Sequence, residues 1–193
     1  PMYNREFYRS DDMLLCISKQ TKNIVENVLK GYEKPDWAVK YVPHGIDSQK
    51  FFPILNDFEY QAYKEDILGE EKDFVVFWNS RNIRRKNTAD LIIAWKVFLD
   101  QLSPEKAEKC TLILKTDPVD EHGTDLPAVI ETILGKDSPR VKIVGGRVPE
   151  KVLNYLYNMS DTHMFMTDNE GWGLGLTESL MAGRMIIAPV QGG

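Results

Sequence analysis

Near the C-terminus two carboxylates bracket seven residues, in the segment Glu170-Gly171-Trp172-Gly173-Leu174-Gly175-Leu176-Thr177-Glu178. Three of the seven are glycine, and the segment leads from an apolar strand pattern at 162–167 into an apolar helix pattern. A glycine loop that opens a helix presents unpaired backbone N–H groups and the positive end of the helix dipole. Phosphate suits that position, and a carboxylate on either side can hold hydroxyls of a sugar or a ribose. A second cluster, Trp78-Asn79-Ser80-Arg81-Asn82-Ile83-Arg84-Arg85-Lys86-Asn87, sets four cations within six residues. Arginine chelates phosphate oxygens in a bidentate way and lysine adds a point charge. A diphosphate between the two clusters would meet N–H groups on one side and Arg81 and Lys86 on the other. Each cluster alone also has a plainer explanation: a tight glycine turn with an acid near a helix start, and a solvated basic turn.

The elements that must carry these residues alternate. From about Asp73 onward the chain reads strand, helix, strand, helix. The run 74–78 is continuously apolar, as a strand buried on both faces should be. Residues 88–102 carry Leu91, Ala94, Trp95, Phe98 and Leu102 at helical spacing, with Asn87 or Thr88 to cap the start. Strands follow at 111–114, 141–144, 162–167 and 185–190. Between them lie a helix marked by Leu126, Val129, Ile130, Ile133 and Leu134, one from Pro149 with the stripe Val152, Leu153, Leu156 and Met159, and one over 174–182. This pattern implies right-handed βαβ units and a doubly wound, Rossmann-like parallel sheet, an α/β fold. Such sheets bind ligands at the carboxyl ends of their strands. That rule puts the loops 79–86, 115–122, 145–148 and 168–173 along one edge. The first third differs: strands at 13–17 and 39–42 flank a helix at 21–30, and 47–72 reads as a connector with a short helix at 60–68.

Taken in order, these features resemble a known family. Arg81 with Lys86 five residues on, the turn at Gly145-Gly146, and Glu170-x7-Glu178 are similar to the retaining glycosyltransferases of the GT-B fold, family 4. Val42-Pro43-His44-Gly45-Ile46-Asp47 followed by Phe52-Pro53 resembles that family's linker signature, and Gly192-Gly193 the start of its next loop. The resemblance implies that Arg81 and Lys86 bind the diphosphate of a nucleotide-sugar donor, which is also the leaving group. It gives Glu170 the hydroxyls of the transferred sugar and Gly171, Trp172, Gly173 and Leu174 backbone contacts to sugar or phosphate. Glu178 would take the ribose hydroxyls, while Arg147 and Val148 line the base. Arg81, Lys86 and Glu170 are thereby the catalytic candidates. Three positions depart from the family pattern: Asn87 stands where glycine is usual, Lys115-Thr116-Asp117 replaces a glycine-rich turn, and Met166-Thr167 replaces Pro-Ser.

Composition narrows the alternatives. The 193 residues are 42% hydrophobic and 27% charged with a net charge of −5, the balance of an ordinary globular protein without the basic field that nucleic acid requires. Cys16 and Cys110 belong to no CxxC or Cys/His cluster, so reduced structural thiols and a cytoplasmic location are expected. His44, His122 and His163 have no metal-ligand spacing and read as packed or hydrogen-bonded residues. No DxD sequence is present, so no metal or other cofactor is expected. The glycines at 171, 173 and 175 resemble a dinucleotide fingerprint. They follow the fourth strand rather than opening the sheet, and no acid lies about twenty positions beyond.

The reading is therefore the C-terminal, donor-binding half of a GT-B glycosyltransferase, with residues 1–45 the end of the N-terminal acceptor domain, 46–72 a connector and 73–193 the nucleotide-sugar domain. Both ends read as cut. The partners implied are the nucleotide-sugar donor and a glycan, lipid or small-molecule acceptor; any peripheral membrane contact would run through the missing N-terminal part. A nucleotide-sugar epimerase of the same fold and a non-catalytic nucleotide-sugar-binding module remain as alternatives.

Overall fold

Strand β3 (Phe74–Asn79) fixes the architecture. Its sequence, FVVFWN, alternates sides with every residue, and both sides are covered. Val75 and Phe77 face a cluster with Tyr155, Leu156 and Tyr157, whereas Val76 and Trp78 face Leu91, Ile92, Trp95, Leu112 and Leu114. This explains an apolar run without polar interruption. The computed structural model describes residues 4–69, 72, 74–136, 138 and 140–190. The expected loop start at Gly192-Gly193 lies outside the described residues.

Two compact units make up the chain: 1–45 with 169–174 and 190–193, and 46–168 with 175–189. In the smaller unit, β1 (Leu14–Cys16) and β2 (Val39–Tyr41) pair in parallel around α2 (Lys19–Val28). Ser18 caps α2 by accepting from the Thr21 N–H at 3.0 Å, and Val25 and Leu29 pack with Cys16 in the small core. A helix not foreseen in the sequence, α1 (Arg5–Ser10), precedes them and buries no residue.

The larger unit begins with α3 (Phe58–Leu68). After β3 come α4 (Thr88–Leu99), the short α5 (Pro104–Glu108), β4 (Cys110–Lys115), α6 (Leu126–Leu134), β5 (Val141–Val144), α7 (Glu150–Asn158), β6 (Thr162–Met164), α8 (Leu174–Met181) and β7 (Met185–Ile187). All pairings are parallel, in the order β5-β4-β3-β6-β7. The α/β, Rossmann-like parallel sheet expected from the sequence is present. β6 is shorter than the 162–167 pattern: β3 ends at Asn79, which the register sets beside Phe165, so residues 166–167 have no strand partner on that side. The Phe165 N–H still reaches Ile187, but the Asp168 N–H bonds the Arg85 carbonyl instead.

Helix α7 departs from its expected one-sided stripe. Asn154, Tyr155, Leu156, Tyr157 and Asn158 are all buried, while Val152 and Leu153 are only partly so. The cause is the segment before α3, which crosses the outer side of the helix. The Phe52 N–H bonds Asn154 Oδ1 (3.3 Å), the Ile54 N–H bonds Asn158 Oδ1 (2.8 Å), and the Phe52 carbonyl accepts from both amide groups. Phe51, Tyr60 and Leu68 enter the same core. Two side-chain amides thus substitute for a missing strand partner.

Replacing Asn158 by Ala strips the Ile54 N–H of its acceptor and should destabilise the protein by about 2–4 kcal/mol. A lower midpoint in urea unfolding, with an unchanged slope, is the expected reading.

Candidate functional site

The strand order reverses between β3 and β6, because β4 and β5 add on one side and β6 and β7 on the other. Ligands of open α/β sheets bind at such a switch point, outside the carboxyl ends of the strands. The register Asn79↔Lys115↔Val144 aligns those ends, so the loops after β3, β4 and β5 share one edge.

Arg81 stands in the loop after β3 and is well exposed. Its guanidinium donates from Nε (2.7 Å) and Nη2 (3.2 Å) to the carboxylate of Asp120, in the loop after β4. The Arg81 guanidinium, together with the His122 N–H, pulls the Asp120 carboxyl below its usual range. The Nη1 end of Arg81 has no hydrogen-bond partner among the described residues. A phosphate can meet that end directly or compete with Asp120 for the other edge. Asp120 was missed in the sequence, since nothing local marks an acid 39 positions away as the partner of this arginine.

The remainder of the loop is rigid. Asn82, only 1% exposed, donates to the Thr124 carbonyl at 2.6 Å and accepts from the Thr124 N–H at 3.3 Å, tying the loop to its neighbour. Gly123 allows the approach: a Cβ there would lie 1.9 Å from the Asn82 carbonyl oxygen. Lys86 ends a 3-10 turn (Arg84–Lys86), is 7% exposed, and has its ammonium 5.2 Å from the Phe165 ring centre, at the start of the loop after β6.

Asn87 is the one non-glycine residue with positive φ among the described residues (φ 49°, ψ 41°). Asparagine tolerates this left-handed conformation better than other residues with a Cβ. Its departure from the family's glycine therefore preserves the turn. Its side chain does not cap α4 as expected; Nδ2 donates instead to Asp168 Oδ1 at 2.7 Å. With the Asp168 N–H on the Arg85 carbonyl (2.9 Å), the two loops at the switch point are locked together.

Glu178 lies in the second turn of α8, not the first, so a simple dipole role does not fit. It is half-buried, and its Oε2 accepts from the Tyr157 hydroxyl at 2.7 Å. Burial raises its pKa, Glu150 adds to the rise, and the Tyr157 hydrogen bond works against it. Glu170, Gly171, Trp172, Gly173 and Leu174 belong to the smaller unit. There Gly171 packs on Ile17, and Trp172 meets the His44 ring edge-on at 6.0 Å. The continuous Glu-x7-Glu motif of the sequence is thus divided between two compact units. Arg147 is exposed and Val148 partly buried in the loop after β5. That loop is anchored by the Gly146 N–H on Asp117 Oδ1 (3.0 Å) and by Lys115 Nζ on the Gly146 carbonyl (2.5 Å).

The histidines split. His163 is packed, as expected, at 0% exposure against Phe77, Tyr157 and Phe165. His44 and His122 are exposed, yet each has a neighbour: His44 meets Trp172 edge-on, and His122 Nε2 lies 3.2 Å from Glu121 Oε1 while its carbonyl accepts from the Arg84 N–H. Among the described residues no group of three His, Cys, Asp or Glu side chains is placed to hold a metal, and no helix is long and apolar enough to cross a membrane.

This topology has solved counterparts. A sucrose-phosphate synthase from Thermosynechococcus elongatus superposes on 100% of the chain with a TM-score of 0.73 and 20% identity. A glycosyltransferase from Rickettsia africae does so on 100% (TM-score 0.75, 16% identity). WaaG, a glycosyltransferase involved in lipopolysaccharide biosynthesis, matches 93% of the chain (TM-score 0.71, 16% identity). The fold is GT-B. The chain spans 44%, 49% and 45% of those three proteins, a little under half of each. No protein-family model matches the sequence, and comparison with curated proteins gives no match.

Neither ring nitrogen of His163 has a hydrogen-bond partner among the described residues. Burial pushes its pKa down from 6.5 to about 4, with the Gly175 backbone opposing weakly. In this interval the unfolded chain binds a proton that the folded protein refuses, so stability is full above pH 6.5 and falls as the pH drops toward 4. His163→Phe should remove that component, making the variant relatively more stable near pH 4.5 by about 2–3 kcal/mol. Urea unfolding of both proteins at neutral and acid pH gives the difference; identical acid slopes would refute it.

Proposed function

We propose that the chain is the donor-binding half of a retaining glycosyltransferase of family 4, moving a sugar from a nucleotide-diphosphate donor to an acceptor hydroxyl. The observation that carries this reading is the switch point itself. Arg81 and Lys86 sit in one of the two switch-point loops, and that loop is locked to the other through Asn87 and Asp168. The GT-B fold supports it.

In this reading Arg81 and Lys86 stabilise the negative charge that builds on the departing diphosphate, the interaction that strengthens most in the transition state. They supply the positive charge for which other transferases recruit a divalent ion, so donor binding should survive chelation by EDTA. Glu178 accepts from the ribose hydroxyls, and Glu170 orients the transferred sugar. Gly171, Trp172, Gly173 and Leu174 supply backbone contacts, and Arg147 with Val148 borders the base. No residue is assigned as nucleophile; the departing phosphate takes the acceptor's proton. Residues 1–45 are the end of an acceptor domain, 46–72 a connector and 73–193 the donor domain, in a cytoplasmic protein. The acceptor is a glycan, lipid or small molecule bound mainly outside this chain, so the chain alone should bind donor without turnover.

Calorimetry with UDP and GDP tests the assignment. Glu178→Ala should weaken nucleotide binding by roughly ten- to a hundredfold, as expected for charge-assisted hydrogen bonds. Glu170→Ala should leave nucleotide affinity nearly unchanged while lowering donor hydrolysis in the full-length protein by about a hundredfold. Equal and negligible effects of both substitutions would overturn the reading.

A further inference from the structure

Glu178 is held by more than its place in α8. Tyr157 donates its single hydroxyl hydrogen to Glu178 Oε2 at 2.7 Å, while the Tyr157 hydroxyl oxygen accepts from Asn79 Nδ2 at 3.0 Å. The donor on Asn79 fixes the direction of the chain: the phenol can give its hydrogen only to the carboxylate. Tyr157 is itself immobile. It is 0% exposed, with Phe77 edge-on at 5.1 Å, His163 at 5.4 Å and Phe51 at 6.0 Å.

Gly175 lies against the same group: a Cβ at 175 would be 3.4 Å from both the Tyr157 hydroxyl and His163 Cε1, at the near limit of ordinary van der Waals contact. Residues three apart share a helix face, so the face of α8 that carries Gly175 against the phenol also carries Glu178. Oε1 of Glu178 has no hydrogen-bond partner among the described residues. One carboxylate oxygen is thus tied and the other is open.

We propose that Asn79 and Tyr157 are positioning residues that keep Glu178 as an oriented anion, with Oε1 presented to a ribose hydroxyl of a nucleoside diphosphate. This rests on the role proposed above for Glu178, and adds what makes that role work at neutral pH. A half-buried carboxylate without a donor would take up a proton more readily, and a protonated carboxyl accepts poorly.

The surroundings of Glu178 define the expected pH response. From α7 it faces Tyr157 and the charge of Glu150; from β3 the Asn79 amide is neutral. From β6, His163 touches Tyr157 and stays uncharged above about pH 4. The Tyr157 hydrogen bond lowers the Glu178 pKa, whereas burial and Glu150 raise it. Removing the phenol therefore raises it further, and any binding that needs the anion is lost at a higher pH.

The test is calorimetric titration of the chain with UDP, ADP and GDP between about pH 5 and 8, followed with the tightest of the three. Tyr157→Phe should bind within roughly threefold of the parent at the alkaline end, with its acid limb moved up by about one pH unit. Asn79→Ala should move the limb the same way by less, and it carries the test alone if Tyr157→Phe does not fold. Glu178→Gln should bind weakly with no such limb. Ionisation of the ligand's terminal phosphate is common to all the proteins and cancels in the comparison. A uniform loss at every pH, or an unmoved limb, in the Tyr157 and Asn79 variants would reduce the pair to packing and overturn the inference. Failure of the underlying role looks different: Glu178→Gln keeps the parent affinity and limb, or no nucleotide binds the parent chain.

Discussion

Everything at the candidate site depends on one constraint, the covering of β3 on both faces. From Phe74 to Trp78 the strand has no free side chain, since each is committed to one of two cores. Its chemistry can appear only where it ends. Because β4 and β6 leave β3 in opposite directions, the end of β3 is also where the covering layers part. Arg81 and Lys86 follow directly from that end, and Asn79, its last residue, already points its amide at Tyr157.

The same constraint explains how polar groups are handled here. Several polar side chains near the switch point are spent on fixing other groups rather than left for solvent. Asn82 clamps the loop after β4, Asn87 clamps the loop after β6, and Asp120 engages one edge of Arg81. Among the described residues, Nη1 of Arg81 and Oε1 of Glu178 keep an open valence, one cationic and one anionic. A site fixed in this way is pre-organised, so little ordering remains to oppose ligand binding.

How far the sequence could be read follows the range of the interactions. The strand–helix alternation, the buried character of 74–78 and the edge on which the loops gather are local patterns, and they were legible. The roles of Asp120, Tyr157 and Asn79 were not, because they depend on pairs 39, 21 and 78 positions apart, brought together only by strand order. The burial of α7 on nearly all sides misled for the same reason. Its asparagines look like a solvent face until the segment carrying Phe52 and Ile54 is laid across them. The left-handed turn at Asn87 was half-visible: the residue type permits it, but only the structure shows that Asp168 holds it.

Asn154 and Asn158 also bear on cooperativity. The stretch around Phe52 to Ile54 belongs to no strand or helix, and by secondary structure alone it would count as the first region to fray. Yet its amides end on side chains that are among the most buried polar groups of the large unit. Freeing them means opening α7 itself. In hydrogen exchange the Phe52 and Ile54 amides should accordingly behave as part of the sheet's own foldon, protected until the core opens as a whole.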